Sequence, residues 1–497
     1  MHRRVSPRAT NAAARTLVIA LTTVVLATPA LAQDAALRER LQRLLDGEER
    51  PLVSPIAPGE TTAERMYVDL GFTLREVFFN VNNPDSTSMR LWQTQADLYG
   101  YVSYAGAHQA YLRLNLDYRT YSPGDVLSDT QGQGQLAEPI LAAAWYRFDW
   151  AAAQRIAGHA PGSNNARLTL GRQRVSIGAG LVLDDDLDAA VAELTLGSLE
   201  ASLVGGVTPK HSTIDFDGSR PDFDTSTHRQ FLAAQLRWQD NPALQPYFFV
   251  LAQLDDNDTK RAILNVGGVA VPTEFGYDSN YLGLGATGSF DESWVWALEG
   301  VYEWGTSTSN PFDYTTGDLM PPTRDHINAW AGVGSLTYLF NDEHDSKLHA
   351  WVMAGSGDTD RRSGNQTLGG NARNTTDQAF NAFGYVPTGY ALAPGLANLL
   401  ITRIGGSTRL GEAIGPSLRV GADAFLYAKL DADAGATIDT VRGQSFVGGA
   451  MDIFAKWHIA PDIELDLRYG MFVPGDAIPD QNDDVHHLVY LGVSYAF

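Results

Sequence analysis

The sequence predicts an all-β fold: a transmembrane antiparallel up-and-down β-barrel of about 18 strands (16–18), with one short helix ahead of it. Three observations predict this fold. The last stretch, 485–497, alternates large apolar residues with small ones at the period of two that marks a strand. The strand candidates upstream are joined by connections that alternate between short and long. Within several candidates, charged side chains share one face and apolar side chains share the other.

The last strand indicates that the barrel is closed. Val489, Leu491, Val493, Tyr495 and Phe497 fall on one of its faces. Chain ends usually fray in water, whereas a strand in hydrocarbon must pair both edges, because lipid satisfies no backbone N–H or C=O. This ending also resembles the terminal signature of bacterial outer-membrane proteins, which finish in alternating apolar residues and an aromatic.

Eighteen strand candidates follow one another from Glu64 onward, and most hold the roughly 9–11 residues that a tilted membrane strand needs. They lie near residues 64–80, 88–104, 108–122, 138–151, 165–176, 187–197, 199–207, 228–240, 243–255, 277–290, 293–306, 326–340, 345–356, 398–410, 417–430, 444–459, 462–474 and 485–497.

The connections after even-numbered candidates are short: Ala105–Ala107, Gly197–Ser198, Asn241–Pro242, Asp291–Glu292, Asn341–His344, Gly411–Gly415 and Ala460–Pro461, with a looser turn at Ala157–Asn164. Those after odd-numbered candidates are mostly long, including Val175–Leu187, Thr208–Thr227 and Gly357–Ala397. The Gly357–Ala397 loop is expected to fold into the pore as a constriction or gate. Short periplasmic turns and long external loops are typical of the bacterial outer membrane, which is the predicted location.

The strand faces differ in polarity. In the third candidate, Leu112 and Leu114 share one face, while Arg113 and Asp117 share the other. A charge on the lipid face costs about 2–4 kcal/mol near the midplane, so these charges are predicted to point inward. Five tryptophans are predicted on the apolar faces, where those near strand ends would suit interfacial girdles: Trp92, Trp238, Trp296, Trp351 and Trp457.

The N-terminus is predicted to be a cleaved secretory signal peptide spanning residues 1–32. Four arginines without an acid precede the short apolar run Leu17–Ala27, and Ala30–Ala32 forms a cleavage site that makes Gln33 the mature start. The apolar run is too short to span a membrane as a helix. Residues 33–63 are predicted to form a periplasmic helix and a linker, and residues 64–497 the barrel.

Composition excludes several classes of protein. The net charge of −22 disfavours nucleic-acid binding, because an acidic chain repels phosphate. The absence of cysteine excludes disulfides and cysteine-based metal or redox sites. Past the N-terminus, no run of 18 apolar residues predicts a transmembrane helix.

Residue parity assigns a set of basic side chains to the lumen as pore-lining, substrate-binding candidates: Arg75, Arg113, Arg119, Arg147, Arg237, Arg403, Arg409, Arg419, Lys429, Lys456 and Arg468. Inward acids accompany them: Asp69, Asp97, Asp117, Asp149, Glu193, Glu299, Asp423, Asp452, Glu464 and Asp466. A barrel of this size is wide enough for an aqueous channel, and rings of arginine and lysine select anions. The alternative is that these charges pair across strands and only hold the wall together.

Three stretches resemble the alginate-export family of outer-membrane porins: Leu168–Arg174 followed by Gly178–Gly180, Phe380–Tyr390 running to Asn398–Leu399, and Phe472–Asp476. The similarity extends over most of residues 64–497. The resemblance implies an eighteen-stranded barrel with an arginine-rich pore that passes an anionic uronate polysaccharide outward. The predicted lumen of this chain departs from that pattern, because its charges are mixed. Uptake of small solutes by a porin of mixed selectivity is therefore the alternative function.

Three acidic stretches in predicted loops are candidates for bound Ca²⁺ through oxygen ligands, although none has EF-hand spacing: Asp184–Asp188, Asp255–Asp258 and Asp483–Asp484. The favoured alternative is that they are solvated loop acids or bridge to lipopolysaccharide through divalent ions. No cofactor is otherwise expected. A barrel hydrolase is the hypothesis from another class, but the histidines lack an accompanying G-x-S-x-G motif, and no catalytic residue is predicted. The expected partners are outer-membrane lipid and lipopolysaccharide, an anionic saccharide or small solute, and the barrel-assembly machinery, with no nucleic acid.

Overall fold

The computed structural model describes residues 66–82, 88–121, 135–136, 138–211, 215–221, 223, 226–257, 261–266, 269–311, 319–411 and 418–497. They form a closed barrel of 18 antiparallel strands, which confirms the predicted fold class. Strands β1–β9 are Met66–Asn82, Ser88–Tyr104, His108–Tyr121, Ile140–Asp149, Asn164–Ile177, Leu183–Leu196, Leu199–Val207, Arg229–Trp238 and Gln245–Asp255. Strands β10–β18 are Tyr277–Ser289, Trp294–Ser309, Thr323–Leu339, Lys347–Gly355, Leu399–Arg409, Leu418–Lys429, Phe446–Ala460, Ile463–Pro474 and His486–Ala496.

Each strand pairs with its neighbours in sequence, and β18 returns to pair with β1. At this junction Phe72 and Phe497 exchange two backbone hydrogen bonds of 2.8 Å. The barrel therefore has no free edge at the junction between its first and last strands, as the pattern of the final strand predicts.

Smaller elements lie in the connections. A two-residue strand, Gln135–Leu136, pairs with β3, and a separate hairpin joins Arg261–Val266 to Val269–Glu274. The one α-helix among the described residues, α1, is Trp150–Ile156, and a 3₁₀ turn spans Asp480–Asn482. No helix in the described ranges is long and apolar enough to cross a membrane. The predicted signal peptide (1–32) and the predicted periplasmic helix and linker (33–63) lie outside the described residues.

The outer face of the barrel is apolar and uncovered. Leu70, Leu232, Leu284 and Leu298 point outward and are 61–75% exposed. Exposed leucines on many neighbouring strands would be a liability in water, but they suit a surface that contacts lipid. Trp92, Trp238, Trp296 and Trp457 lie on this face, as predicted.

Trp351 is the exception, and its predicted outward position is wrong. It pairs in register with Ser335 and Arg403 on the inner face, and it packs against the buried cluster inside the barrel. The prediction failed because parity alone assumes that every apolar face meets lipid.

The two ends of the barrel differ, as the connection lengths predict. At one end, here called the turn end, tight turns such as Ala105–Ala107 and Gly197–Ser198 join the strands. The looser turn there contains α1, whose N-cap Asp149 accepts a hydrogen bond from Ala152 N at 2.9 Å. This carboxylate satisfies one of the amides that a helix start leaves unpaired.

One predicted long loop is wrong. Strand β5 runs on to Ile177 and β6 begins at Leu183, so their connection is only Gly178–Val182. The acidic run Asp184–Asp188 therefore lies in a strand. Arg172 and Arg174 of β5 pair with Asp188 and Asp184 of β6, which makes the acidic run compatible with the sheet.

The buried core lies inside the barrel. Inward side chains of the strands, such as Phe249, Tyr281 and Tyr427, are 0% exposed. They pack against residues 356–398, which connect β13 to β14 and fold inward from the opposite end, here called the loop end. This segment, the crossing loop, matches the constriction expected from the sequence.

Candidate functional site: the barrel lumen

The crossing loop is fixed to β10 and β11 by buried polar groups. Glu303 accepts hydrogen bonds from the Tyr277 hydroxyl and from Asn381 N at 3.2 Å. The Tyr281 hydroxyl donates to Asn381 O at 2.7 Å. Asp377 accepts from Ser307 Oγ at 2.7 Å. Because unpaired groups at such depth would be costly, these bonds specify one position for the loop.

The same loop is fixed on the opposite side of the lumen. The Tyr427 hydroxyl of β15 donates to Thr388 O at 2.8 Å, and Tyr390 N donates to Asp452 of β16 at 2.8 Å. The guanidinium of Arg468 lies over the ring of Tyr390, 5.6 Å from its centroid. Residues 381–390 therefore cross the interior from β10 to β16 and narrow the channel.

The Gly178–Val182 connection also turns into the lumen and meets the crossing loop. Gly178 N donates to Gln235 Oε1 at 2.7 Å, and Ala179 N donates to Glu299 Oε2 at 2.6 Å. Phe383 N donates to Val182 O at 2.8 Å. Gly178 has φ +65, and a Cβ there would lie 2.1 Å from Glu299 Oε2, so only glycine fits. The connection and the crossing loop together form the constriction.

Inward charges are unevenly distributed around the barrel. Strands β13–β18 and β1–β5, eleven of the eighteen and here called the cationic half, carry twelve basic residues on their inner faces: Lys347, Arg403, Arg409, Arg419, Lys429, Lys456, Arg468, Arg75, Arg113, Arg119, Arg147 and Arg167. The same strands carry eight inward acids: Asp69, Asp97, Asp117, Asp149, Asp423, Asp452, Glu464 and Asp466. Strands β6–β12, the acidic half, present only Arg229 and Arg237 as inward cations within the described strands. Their inward acids are Asp185, Glu193, Glu200, Asp255, Glu299, Glu303 and Asp325.

The buried acids of the acidic half hold loops in place. Besides Glu299 and Glu303, Asp255 joins a cluster in which Arg220 and Arg229 both bond Asp215 of the β7–β8 connection, at 2.7 and 2.6 Å. Burial alone raises the pKa of Asp215, but the two guanidinium groups outweigh burial and lower that pKa to about 2. The carboxylate therefore stays ionised at neutral pH.

All predicted pore residues have inward register, but their surroundings differ. Arg403 and Arg468 form two-pronged pairs with Asp423 and Asp466, with N–O distances of 2.7–3.1 Å. Further contacts join Arg119 to Asp117, Lys456 to Glu464 at 3.9 Å, and Arg409 and Arg419 to Asp345 at 2.8 and 3.5 Å. The sequence left open that these cations pair with acids of the barrel. Six of the eleven predicted pore residues do form such pairs.

The remaining predicted residues have other neighbours. Arg147 donates to Thr169 Oγ1 at 3.0 Å, and Arg237 lies 4.9 Å from the centroid of the Tyr247 ring. Lys429 donates to the backbone oxygens of Ala432 and Val441, which places it under a loop at the loop end. Arg75 and Arg113 both lie near Asp97. A role of any of these residues in binding solute stays a prediction.

Sequence reasoning missed several inward charges. Arg167 and Lys347 could have been found by extending the same parity, since both continue an alternating strand. Glu303, Arg229 and Asp215 could not, because their importance depends on contacts with loops far away in sequence. Glu303 and Asn381, for instance, are 78 residues apart.

A cavity of about 340 Å³ lies inside the barrel against β4–β8. Arg147, Arg167, Thr169, Glu193 and Ser202 contribute to its polar lining. A cavity of this size and polarity suits a hydrated solute about as large as a monosaccharide.

The described residues offer little for catalysis or metal binding. They include no group of three or more His, Asp or Glu side chains arranged to hold a metal ion, and the expectation of loop-bound Ca²⁺ stays a prediction. Ser226 contacts His228 at 2.5 Å near the loop end. Within the described ranges no acidic side chain bonds His228, so this pair lacks the orienting third group of a hydrolase triad.

Solved structures with a similar fold include OccAB4 of Acinetobacter baumannii, with a TM-score of 0.52 at 11% identity over 86% of this chain and 98% of that one. OccK8 (OprE) of Pseudomonas aeruginosa has a TM-score of 0.51 at 12% identity over 86% and 98%. OccK11 (OpdR) of the same organism has a TM-score of 0.50 at 10% identity over 86% and 96%. At these identities the likeness shows the fold alone.

No curated protein matches the chain in sequence. A family model described as alginate export, however, matches residues 154–491. That match covers more than half of the chain and includes the crossing loop and the Gly178–Val182 connection. The protein therefore belongs to the alginate-export family, as an outer-membrane β-barrel channel.

Proposed function

We propose that this barrel passes anionic solutes, in particular acidic saccharides of the uronate type, along the cationic half of its lumen. The main support is an uneven balance of inward charge, with twelve cations against eight acids in the cationic half and two cations against seven acids in the acidic half. An anion crossing the constriction meets arginine and lysine on one side, and arginine matches a carboxylate with a planar two-pronged fork. Alginate, named by the family model, is a polymer of such carboxylates.

Exposure separates the cations that can meet a solute from those that cannot. The side chains of Arg403, Lys456 and Arg167 are 16%, 23% and 38% exposed, whereas Arg468 of the same half and Arg229 of the acidic half are 7% and 1% exposed. A cation that keeps contact with solvent can exchange water for a solute. A cation buried beneath a folded loop cannot do so without unfolding that loop.

A second candidate is uptake of small solutes with mixed selectivity. The pairing of Arg403 with Asp423 and of Arg468 with Asp466 favours it, because paired charges cancel at a distance. A narrow lumen with alternating charges would pass small ions of either sign and discriminate by size.

The test is the reversal potential of the full-length barrel in planar bilayers under a salt gradient, with and without a linear oligouronate. The proposal expects anion selectivity and block by the oligouronate. The double variant Arg403→Gln with Lys456→Gln should lose most of both, because it removes two partly exposed cations and leaves Asp423 and Glu464 without these partners. Arg237→Gln, in the acidic half, is the matched control and should change both less. Cation selectivity without block would overturn the proposal in favour of the mixed-selectivity porin.

A further inference from the structure

We infer that a row of aromatic side chains on the inner wall, Tyr99, Tyr111 and Trp145, binds the faces of pyranose rings. This inference deepens the proposed function and rests on it, because it names the ring of a saccharide as what the lumen recognises besides charge. The three residues lie on β2, β3 and β4, close to the strand ends that the short turns connect.

The three rings form one continuous surface. The centroids of Tyr99 and Tyr111 are 6.3 Å apart, those of Tyr111 and Trp145 are 5.7 Å apart, and each pair of planes is inclined by only 28°. The Tyr99 ring lies over Gly71 of β1, where a Cβ would come within 2.2 Å of its Cζ. Because all three side chains have inward register on adjacent strands, the row borders the lumen.

Within the part of the chain that the structure describes, the row is less buried than several other inward aromatic residues. Tyr99, Tyr111 and Trp145 are half-buried. Tyr281, Tyr427 and Phe472, by contrast, are 0% exposed beneath the folded loops. Apolar ring surface that stays in contact with water is unfavourable. A ligand that covers these faces would remove that cost, as apolar patches at binding sites commonly do.

Two guanidinium groups border the row. Arg113 follows Tyr111 by two residues on the inner face of β3 and is in register with Tyr99. Arg147 follows Trp145 by two residues on β4, and its Cζ lies 4.9 Å from the centroid of the Trp145 ring. Within the described ranges no carboxylate forms an ion pair with Arg147. One basic group therefore lies on the loop-end side of the rings and the other on the turn-end side.

This arrangement matches a uronate in two separate ways. A pyranose ring presents C–H groups on its faces and polar groups at its edge, so its face packs on an aromatic ring while its edge reaches hydrogen-bonding side chains. The carboxylate of a uronate lies at that edge, where a guanidinium can bind it by donating two hydrogen bonds. The polar cavity beside Arg147 leaves room for the hydroxyl groups.

The experiment separates recognition of the ring face from recognition of the carboxylate. The concentration for half-maximal block of the full-length channel is measured with a linear oligouronate and with a neutral hexose oligomer of the same length. Tyr111→Ala and Trp145→Ala should weaken block by both oligomers roughly tenfold, the upper range for losing one ring contact. Trp145→Phe, which keeps a ring, should recover most of that loss. Arg147→Gln should weaken block by the oligouronate only.

Phe454→Ala is the matched control. Phe454 is also inward and half-buried, and its ring also lies over a glycine, with a Cβ at Gly421 only 2.4 Å from Phe454 Cε1. Among the described residues, however, no other ring contacts it. Removing it should leave block by either oligomer unchanged. Slower gel mobility of each sample after boiling checks that all variants close as barrels.

The outcomes distinguish this inference from the proposed function. If the ring variants behave like Phe454→Ala while the wild type stays anion-selective and is blocked by the oligouronate, the rings only fill the wall. The inference then fails and the proposed function stands. If the wild type is cation-selective and neither oligomer blocks it, both fail. Weaker block by the neutral oligomer in the ring variants, with charge selectivity unchanged, supports the inference alone.

Discussion

The cationic and acidic halves of this lumen use similar charged groups for different purposes. In the acidic half, Glu299 and Glu303 are at most 1% exposed, and both hold loop backbone. In the cationic half, Arg403 and Lys456 remain partly exposed beside the channel. A buried charge in this lumen therefore positions the constriction, whereas a partly exposed charge is available to a passing solute.

The largest expected effect comes from the acidic half, at Asp215. Asp215→Ala leaves Arg220 and Arg229 without their shared carboxylate in a fully buried cluster. Removing one partner of a buried ion pair costs about 3–5 kcal/mol. We expect the β7–β8 connection to open and become a site of proteolytic cleavage, while the strands stay intact. Limited proteolysis in detergent micelles measures this, and Asp256→Ala, an exposed neighbour, is the control.

The same cluster predicts a response to acid. The pKa of Asp215 in the folded protein is about 2, below its ordinary value of 3.8. A lowered pKa contributes stability that is present above the ordinary value and is lost as the pH falls through the lowered one. Proteolytic resistance of this connection in the wild type should therefore persist at pH 4 and decline toward pH 2. A decline already complete at pH 4 would contradict the ionised cluster.

The second effect concerns the constriction. Glu299→Ala removes Oε2, which accepts two hydrogen bonds, from Ala179 N at 2.6 Å and from the Tyr247 hydroxyl at 2.8 Å. Loss of a charge-assisted bond costs about 1.5–3 kcal/mol. The Gly178–Val182 connection should loosen, raising single-channel conductance and its fluctuations. Gly178→Val should give the same phenotype by steric exclusion, and unchanged traces in both would show that the connection does not limit the channel.

The third effect lies in the cationic half. Arg403→Gln removes a partly exposed cation and leaves Asp423 without its guanidinium partner. A change of about 1 kcal/mol in the attraction for an anion corresponds to roughly a fivefold fall in the anion-to-cation permeability ratio. Reversal potentials measure this ratio. Heat-induced unfolding should change less than in Asp215→Ala, and the reverse ranking would contradict the division between the two halves.

The smallest effect is expected at Glu464, which pairs with Lys456 at 3.9 Å while both side chains remain more than a fifth exposed. Such pairs contribute about 0–1 kcal/mol. Glu464→Gln should leave thermal stability unchanged and raise anion selectivity slightly, because it removes an acid from the channel wall. A destabilisation as large as that of Asp215→Ala would show that exposure does not separate the two kinds of charge.

The strands were predictable because their signals are local. The alternation of polar and apolar residues within β3 and β17 depends only on neighbours in sequence, and so does the tight turn at Gly197–Ser198. Inward register of residues such as Arg75 and Arg468 followed from the same parity. The run Asp184–Asp188 misled the prediction because it reads as a solvated loop, and only Arg172 and Arg174 on the adjacent strand make it compatible with a sheet.

The division of the lumen was not predictable from sequence. Which charges stay open depends on where the crossing loop packs, and that is decided by distant pairs such as Tyr281 with Asn381, 100 residues apart. Trp351 illustrates the same limit, since it points inward toward the buried cluster of the interior. Parity gives the face of a strand, but only the tertiary structure tells whether that face meets water, lipid or another loop.

The bonds between Phe72 and Phe497 carry a consequence for assembly. The first and last strands pair although almost the whole barrel sequence separates them. Contacts with such a large sequence separation form slowly during folding. Until this pairing forms, two strand edges stay exposed and can capture other chains. We therefore expect both edges to need protection until β1 and β18 pair, and a β18 peptide added late should still restore closure of a barrel that lacks this strand.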